Sequence, residues 1–254
     1  MMIAPFSLLP LLAATPTVEV PLPQTPDATP VEASEGEKTG EWEGSIAVSS
    51  SFSDGNTDVT NSSVTADGIR ETDEDRWTLG FSWAYTEDNG MLTQRRTFAR
   101  GQYDYFLDEK SYLLADSSVQ ANGPAGLDLR TSVGAGYGYQ ALDDDSVKLG
   151  LEAGIAYIDQ DLTGQPGNDF IAARAGYDLQ WQMTDDTEFE QHMKVYPSLE
   201  ESEDVFGQLD TRVKMSLTEA MFAQFQWIFD WNNNPAAGRK RTDNLFLITL
   251  GWSF

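Results

Sequence analysis

The chain has 254 residues, 41 Asp and Glu against 16 Lys and Arg, a formal net charge of −25 and no cysteine. This acidity argues against nucleic acid as a partner, because nucleic-acid binding needs a basic surface that displaces phosphate counterions. Without cysteine, disulfides and thiolate chemistry are excluded. The sequence has no run of eighteen apolar residues, which excludes a transmembrane helix. The mean hydropathy of −0.40 leaves a β-barrel open, because lipid-facing and lumen-facing residues cancel in an average.

Two segments precede the regular pattern. Residues 1–14 predict a secretory signal peptide, with an apolar run that ends at the small residues Ala13 and Ala14. No Lys or Arg precedes that run and an A-x-A cleavage pattern is missing, so a merely apolar N-terminus is the alternative. Residues 15–40 are rich in proline and glutamate and have too little apolar surface to offset their ordering entropy. We predict a disordered periplasmic linker there.

From residue 41 to the end, hydrophobicity alternates with period two. The clearest segments run from Trp77 to Tyr85, from Leu129 to Tyr139 and from Leu209 to Leu217, with large apolar side chains at every second position. This period is typical of strands, which sort side chains onto two faces. Twelve such segments are separated by turn sequences, at 54–58, 71–75, 87–90, 107–110, 122–126, 143–146, 159–169, 184–187, 200–204, 218–220 and 232–242. The second segment, Val59 to Arg70, is the weakest because it is mostly polar.

We predict that residues 41–254 form an all-β, transmembrane, antiparallel up-and-down β-barrel of about twelve strands. An apolar face turned inward would leave the centre of such a barrel unfilled, since about eight strands suffice for a packed interior. Aromatic residues also gather at the strand ends, as membrane interfaces require. One predicted ring contains Trp42, Trp77, Tyr105, Tyr139, Trp181, Phe189 and Trp252, and the other contains Phe52, Tyr85, Tyr157 and Trp231.

These features indicate the outer membrane of a Gram-negative-type bacterium, with outer-membrane lipids and lipopolysaccharide as partners. An even number of strands places both termini on the periplasmic side. The even-numbered turns are tight and acidic, whereas several odd-numbered ones are predicted to be long outer loops, notably 159–169 and 232–242. The last strand ends on an aromatic residue, which is typical of closing strands. We predict that its apolar face is an assembly signal for the barrel-assembly machinery, formed by Phe246, Ile248, Leu250, Trp252 and Phe254.

Several stretches occur together in an order that resembles a known family. They are Trp42-Glu-Gly-Ser, the Gly55-Asn-Thr turn, Gln102-Tyr-Asp-Tyr-Phe-Leu, Gly126-Leu-Asp-Leu-Arg with Gly136-Tyr-Gly-Tyr, and residues 235–243. The combination resembles the salt-induced, YdiY-like outer-membrane protein family of unknown function. The resemblance implies an outer-membrane barrel and a link to salt or osmotic stress. It brings no established catalytic residue, cofactor or ligand, and residues 15–40 lie outside it.

The predicted inner face carries long charged side chains that suit a wet lumen. The candidates for a lumenal charged network are Arg96, Arg100, Asp104, Asp116, Arg130, Glu152, Arg174, Asp178, Glu190, His192, Asp210 and Arg212. If they are paired, they plug the lumen and the barrel is purely structural, with pairing between the fourth and sixth segments favoured. If some are unpaired, they line a narrow, charge-selecting pore. The role of the barrel is then envelope integrity or the passage of small solutes.

An outer-membrane hydrolase that modifies lipid or lipopolysaccharide is the enzymatic alternative. Its base would be His192, the single histidine of the sequence, since a serine nucleophile needs an adjacent base. The strand period turns His192 into the lumen, away from lipid, and no G-x-S-x-G motif occurs. We therefore predict a non-enzymatic protein with no catalytic residue and no cofactor.

Three loop motifs have weaker functional interpretations. Asp54, Asn56 and Asp58 match the first ligand positions of a calcium loop, but Val59 and Thr65 stand where Gly and Glu are needed. The acidic turns are better explained as solvated turns than as cation sites, and we predict no metal site. The basic run from Arg239 to Arg241 has two interpretations, a contact with lipopolysaccharide phosphates or a solvated loop.

Overall fold

The computed structural model describes residues 40–53, 58–202 and 204–254. The predicted signal peptide and all of the predicted linker except Gly40 lie outside the described residues. So do residues 54–57 of the first turn. No helix within the described ranges has the length and apolar character needed to cross a membrane.

The described residues form a closed barrel of twelve antiparallel strands, and each strand pairs with its neighbours in the chain. This confirms the predicted fold class. The strands are β1 (Trp42–Ser53), β2 (Val59–Glu71), β3 (Asp75–Asp88), β4 (Met91–Phe106), β5 (Ser111–Asn122), β6 (Leu127–Asp143), β7 (Val147–Leu162), β8 (Asn168–Thr184), β9 (Thr187–Pro197), β10 (Val205–Ser216), β11 (Met221–Asn232) and β12 (Thr242–Ser253). A short 3-10 turn, Gly123–Ala125, joins β5 to β6.

The apolar face of each strand lies on the outside of the barrel. On β7, Leu151, Ile155 and Tyr157 are exposed, whereas the alternating residues Glu152 and Ile158 are buried. A soluble barrel has the reverse arrangement, with its apolar side chains inward. The interior is mostly polar and also holds a buried apolar cluster that includes Ile158, Phe170 and Phe206. An apolar exterior around a mostly polar interior is the arrangement of a membrane-spanning barrel.

The two ends of the barrel differ in their connections. The terminal end carries Trp42 and Phe254, and its turns leave two to four residues between strands. The opposite, loop end carries the longest connections, residues 198–204 and 233–241. The predicted long loop at 232–242 is therefore confirmed.

The predicted loop at 159–169 is wrong, because the β7–β8 ladder continues through Asp159↔Asp169 and Gln160↔Asn168. Only residues 163–167 connect these two strands in the described part of the chain. The exposed acids at the strand ends resemble loop residues in sequence. Their backbone groups still pair, and between them Gln160 points into the barrel and is buried there.

The second strand is complete despite its polar sequence. It pairs along its whole length with β1, from Trp42↔Arg70 to Ser53↔Val59, and it also pairs with β3. The ring of Trp42 lies about 3.7 Å from where a Cβ on Gly68 would stand. The ring of Trp42 on β1 thus covers the outward side of Gly68 on β2.

Aromatic side chains mark both edges of the apolar exterior. Trp42, Trp77, Trp181 and Trp252 are exposed at the terminal end, and Trp181 contacts Phe189 edge-on at 6.5 Å between ring centroids. At the loop end, Phe52 and Tyr157 are exposed. These positions match the interfacial rings expected of a membrane barrel.

The barrel closes through the shortest ladder of the sheet. The strands β1 and β12 are paired from Ser45↔Ser253 to Val48↔Leu250, whereas β1 and β2 are paired over all twelve residues of β1. Beyond that ladder, Gly44 and Phe254 exchange two backbone hydrogen bonds of 2.8 and 2.9 Å. The predicted assembly residues face outward on β12, and Phe246, Ile248, Leu250, Trp252 and Phe254 are all exposed.

Candidate functional site

The inner face of β6 makes room for long side chains in the lumen. Glycines occupy its inward positions 134, 136 and 138. A Cβ at Gly134 would stand 2.6 Å from Asp116 Oδ1, and a Cβ at Gly138 would overlap the ring of Tyr112. The side chains of Asp116 and Tyr112 on β5 therefore lean across β6 into space that only glycine leaves free.

Arg174 on β8 uses that space to bridge the lumen. Its guanidinium lies 3.1 Å from Asp116 Oδ1 through Nε and 2.6 Å from Glu152 Oε2 through Nη2. All three side chains are buried. Since Asp116 is three strands away from Arg174, this ion pair joins parts of the wall about a quarter of the circumference apart.

Further groups extend the contact in both directions. Gln102 Nε2 donates to Glu152 Oε1 at 2.7 Å and to Asp104 Oδ1 at 2.9 Å. Lys194 Nζ donates to Gln102 Oε1 at 2.9 Å. We call Gln102, Asp116, Glu152, Arg174 and Lys194 the bridged cluster. Beyond it, Arg76 holds Asp104 through an ion pair of 2.8 Å.

Two other ion pairs cross the lumen. Arg212 Nη1 on β10 lies 2.8 Å from Asp67 Oδ2 on β2, and the same guanidinium also holds Asp210 on its own strand. Nearer the loop end, Arg96 Nε on β4 lies 2.9 Å from Asp230 Oδ2 on β11. Together with the bridged cluster, these pairs divide the cross-section of the barrel.

The pairing favoured from sequence between the fourth and sixth segments differs from the contacts in the structure. Arg130 on β6 donates to Gln160 Oε1 through Nε at 3.1 Å and through Nη2 at 2.9 Å. Its guanidinium also lies 3.8 Å from the centroid of the Phe206 ring, a cation–π contact. The charged residues of the fourth strand instead bind elsewhere, Arg96 to Asp230 and Asp104 to Arg76.

His192 points into the lumen between two carboxylates. Its Nδ1 lies 2.5 Å from Asp178 Oδ1, and its Nε2 lies 3.9 Å from Glu190 Oε2. The hydrogen bonds of this ring within the described chain include no serine hydroxyl. Among the described residues, the hydrogen bonds of His192 thus give the hydrolase hypothesis no support.

One cavity of about 210 Å³ lies between these groups, with lining residues from both ends of the barrel. Its wall includes Gln140 and Lys148 at the terminal end, and Lys240 and Arg241 at the loop end. Arg100 on β4 also lines it. Unlike the other predicted arginines, Arg100 forms no hydrogen bond or ion pair with any described residue.

The connection 233–241 folds over the loop end of the cavity. Ala236 is buried against Leu127 and Leu162, and Asn234 Nδ2 donates to Asp204 Oδ1 at 2.9 Å. The backbone approaches closely at Gly126, where φ is +76° and a Cβ would stand 2.7 Å from that of Ala236. This segment narrows the mouth and is held by specific contacts.

One titratable group at the terminal end has a hydrogen-bonded role in a turn. Asp108 Oδ1, in the β4–β5 turn, accepts hydrogen bonds of 2.9 Å from the backbone N–H groups of Lys110 and Ser111. These donors favour the ionised form and lower the pKa of Asp108. The charged carboxylate therefore fastens this turn.

The structure brings the predicted lumenal residues to one interior, but it joins them through partners that sequence reasoning missed. These partners are Asp67, Arg76, Gln102, Lys194 and Asp230. Each of them occupies an inward position in the alternation of its strand, and this alternation is the sequence pattern that could have identified them. No His, Asp and Glu group among the described residues is arranged to hold a metal. Residues 54–57 of the calcium-loop motif lie outside those residues.

Several solved structures are similar to this chain. A NanC porin is 11% identical with a TM-score of 0.48, covering 84% of this chain and 98% of its own. A KdgM porin in complex with disordered oligogalacturonate is 6% identical with a TM-score of 0.41, covering 84% and 98%. The outer-membrane channel DcaP of Acinetobacter baumannii is 10% identical with a TM-score of 0.40, covering 84% and 95%. No curated protein matches the sequence.

A family model gives a more direct assignment. The model described as a protein of unknown function, DUF481, matches residues 46–254. That range contains most of β1 and all of the other eleven strands. The chain therefore belongs to the DUF481 family.

Proposed function

We propose that this protein is a non-enzymatic outer-membrane barrel whose lumen is a narrow channel for small hydrophilic solutes. The observation that carries the proposal is the cavity, which is lined at one end by Gln140 and Lys148 and at the other by Lys240 and Arg241. A solidly plugged interior would be divided into separate voids. A passage that reaches both ends supports conduction.

The passage is narrow because ion pairs occupy much of the cross-section. Its volume of about 210 Å³ is below the roughly 300–1,000 Å³ typical of sites for drug-sized molecules. The connection 233–241 restricts the loop end further. We therefore propose ions and solutes of a few heavy atoms to one sugar ring as the permeants.

The proposed location follows from the exterior. An apolar belt with aromatic edges suits contact with outer-membrane lipids, and the basic run from Arg239 to Arg241 is exposed at the loop end, where lipopolysaccharide phosphates would lie. The terminal end would face the periplasm of a Gram-negative-type bacterium. The outward residues of β12 would be read by the barrel-assembly machinery. Following the resemblance noted above, we propose salt or osmotic stress as the setting in which this channel acts.

Single-channel recording of the purified protein in planar bilayers tests the proposal. We expect stepwise conductance in KCl, with steps smaller than those of an open general porin. A variant that removes the contact of the loop, Ala236→Asp, is expected to conduct more, because a charge would replace a buried methyl group beside Leu127 and Leu162. Ala237→Asp, which adds the same charge at an exposed neighbouring position, is the matched control. Silence of the wild-type protein would contradict the channel.

A purely structural barrel is the second candidate, and a separate observation favours it. Three arginine–carboxylate contacts cross the lumen, at Arg96, Arg174 and Arg212. In this case the lumen would serve to stiffen the wall for envelope integrity. The structural barrel predicts no conductance in the wild type or in Ala236→Asp, so the same recordings separate the two functions.

A further inference from the structure

The residues that line the cavity have a net positive charge, whereas the chain as a whole has a net negative charge. The part of the cavity wall that the described residues form contains nine Lys and Arg but seven Asp and Glu. The whole sequence has 16 and 41. More than half of the basic residues thus line the cavity, whereas most acids lie elsewhere, many of them in the turns.

Nearly all acids of the cavity wall are neutralised by a neighbour. Arg174 holds Asp116 and Glu152, and Arg212 holds Asp67 and Asp210. The other pairs are Arg96 with Asp230 and His192 with Asp178. Asp243 is the one lining acid for which the described residues provide no ion pair.

Five basic side chains of the wall form no ion pair with any described residue, and they are Arg100, Arg130, Lys148, Lys240 and Arg241. Arg130 is held by Gln160 and by the Phe206 ring, which leaves the other four. Lys148 lies at the terminal end, Arg100 lies midway along β4, and Lys240 and Arg241 lie at the loop end. The free positive charges therefore mark the two mouths of the passage and its middle.

Arg100 is the central contact of this series. Its Nε lies 3.0 Å from where a Cβ on Gly80 would stand, so the side chain lies along the wall over a glycine. The charge of Arg100 acts on Asp178 and His192 without a hydrogen bond or a close ion pair to either. Its guanidinium presents donors in a planar fork that matches a carboxylate or a phosphate. A guanidinium with no carboxylate in hydrogen-bond contact can exchange its water for a passing anion.

We propose that the lumen selects small solutes that bear a carboxylate or a phosphate, and that Arg100 is the midway binding residue. This inference rests on the proposed channel function. The acids in the outer turns oppose it only weakly, because charges beyond a Debye length of about 8 Å are largely screened at physiological salt. The basic groups at the mouths concentrate anions there.

The test compares Arg100→Gln with Arg95→Gln, which removes the same charge from the outward face of the same strand. The first measurement is the zero-current potential of the reconstituted protein in a KCl gradient. The second is uptake into liposomes of glucuronate, glucose 6-phosphate, glucose and glucosamine, which share one ring and differ in charge. The third is retention of labelled glucuronate and glucose 6-phosphate by the detergent-solubilised protein, which needs no conduction.

We expect anion preference, faster uptake of the two anionic sugars than of glucosamine, and retention of at least one of them. Arg100→Gln should weaken that retention about tenfold, the loss expected for one charge-assisted contact, and Arg95→Gln should match the wild type. Glucuronate and glucose 6-phosphate show which oxyanion is preferred.

Cation preference, or equal retention by wild type and Arg100→Gln, would overturn the inference and leave the channel standing. Absence of current in every salt would overturn the channel, and the retention measurement would then decide the inference by itself. Loss of retention in Arg95→Gln as well would attribute binding to overall charge and overturn the role of Arg100.

Discussion

Arg174 and Arg100 face the same lumen and lie in opposite situations. Arg174 is buried between Asp116 and Glu152, in the bridged cluster that joins β5, β7 and β8. Arg100 lies along the wall over Gly80, beside the cavity, and its charge acts on Asp178 without a hydrogen bond or close ion pair. The first residue holds the barrel together, and the second remains available to a solute.

The difference shows how one lumen can combine stiffness with passage. In the bridged cluster each buried charge has an opposite charge within about 4 Å, so its desolvation is offset. In the open passage the guanidinium of Arg100 stays in contact with water. Little desolvation free energy is therefore lost when it has no close carboxylate. The same residue type therefore has a structural role or a binding role according to what the opposite wall supplies.

The largest expected effect comes from removing the bridge. Arg174→Met leaves the buried Asp116 and Glu152 without their guanidinium, and such a loss costs about 3–5 kcal/mol of unfolding free energy. The measurement is urea unfolding of the purified barrel in detergent, followed by tryptophan fluorescence. Arg100→Met is the matched control and should stay within about 0.5 kcal/mol of the wild type. Equal losses of unfolding free energy in the two variants would contradict the different roles of Arg174 and Arg100.

A smaller effect is expected from filling the glycine face on which the bridge depends. A methyl group at Gly138 would overlap the ring of Tyr112, whose hydroxyl donates to Glu152 Oε1 at 3.2 Å. Overpacking of this kind costs about 1–3 kcal/mol. Gly101→Ala is the control, because its Cβ would meet Leu79 at an ordinary 3.5 Å. The same unfolding measurement applies, and an unchanged Gly138→Ala would place Tyr112 outside the bridge.

The ladder between β1 and β12 contains neither the bridged cluster nor Arg100, so a change there should leave both unaffected. Deleting Phe254 removes two backbone hydrogen bonds with Gly44 and the last outward aromatic residue. We expect less assembled protein in the membrane, with the lumenal contacts of the assembled fraction unchanged. The readout is the heat-modifiable band on a detergent gel, with Ser253→Ala as the control. Normal levels of assembled protein would refute the assembly role of this residue.

The smallest expected effect concerns the turn at the terminal end beside β5. The pKa of Asp108 is lowered by hydrogen bonds from Lys110 and Ser111, so its stabilising contribution is complete above its ordinary pKa. That contribution is lost as the pH falls below about 4 and through the lowered pKa. Asp108→Asn should therefore flatten the acid dependence of unfolding, with a small loss of stability at pH 7 and a difference from the wild type that shrinks in acid. A steeper acid dependence in the variant would contradict the assignment.

The sequence was sufficient for the architecture because period-two alternation sets the inward and outward face of every strand. It was misleading at strand ends such as Asp159, where an exposed acid looks the same in a ladder and in a loop. Polar β2 was hard to recognise for a related reason. Its stability comes from pairing on both sides and from the Trp42 ring, which are properties of its neighbours.

The site was predictable in part. Inward parity identified Arg174 and Asp116, but it could not identify Asp67 and Asp230 as partners of Arg212 and Arg96. Those contacts depend on strand tilt and on which residues face each other after closure, and neither is encoded locally. That Arg100 has no hydrogen bond to the described residues of the lumen likewise depends on contacts across the closed barrel, which its own strand does not encode.

Site-directed labelling tests most directly whether water fills the polar interior of the barrel and lipid covers its apolar exterior. The chain has no cysteine, so Arg100→Cys and Ile155→Cys each introduce a single thiol, the latter at a position 59% exposed on the outside of the barrel. A membrane-impermeant thiol reagent is added to protein reconstituted in liposomes. We predict that Cys at position 100 is labelled while Cys at position 155 is protected by lipid. Labelling of position 155 with protection of position 100 would contradict the account.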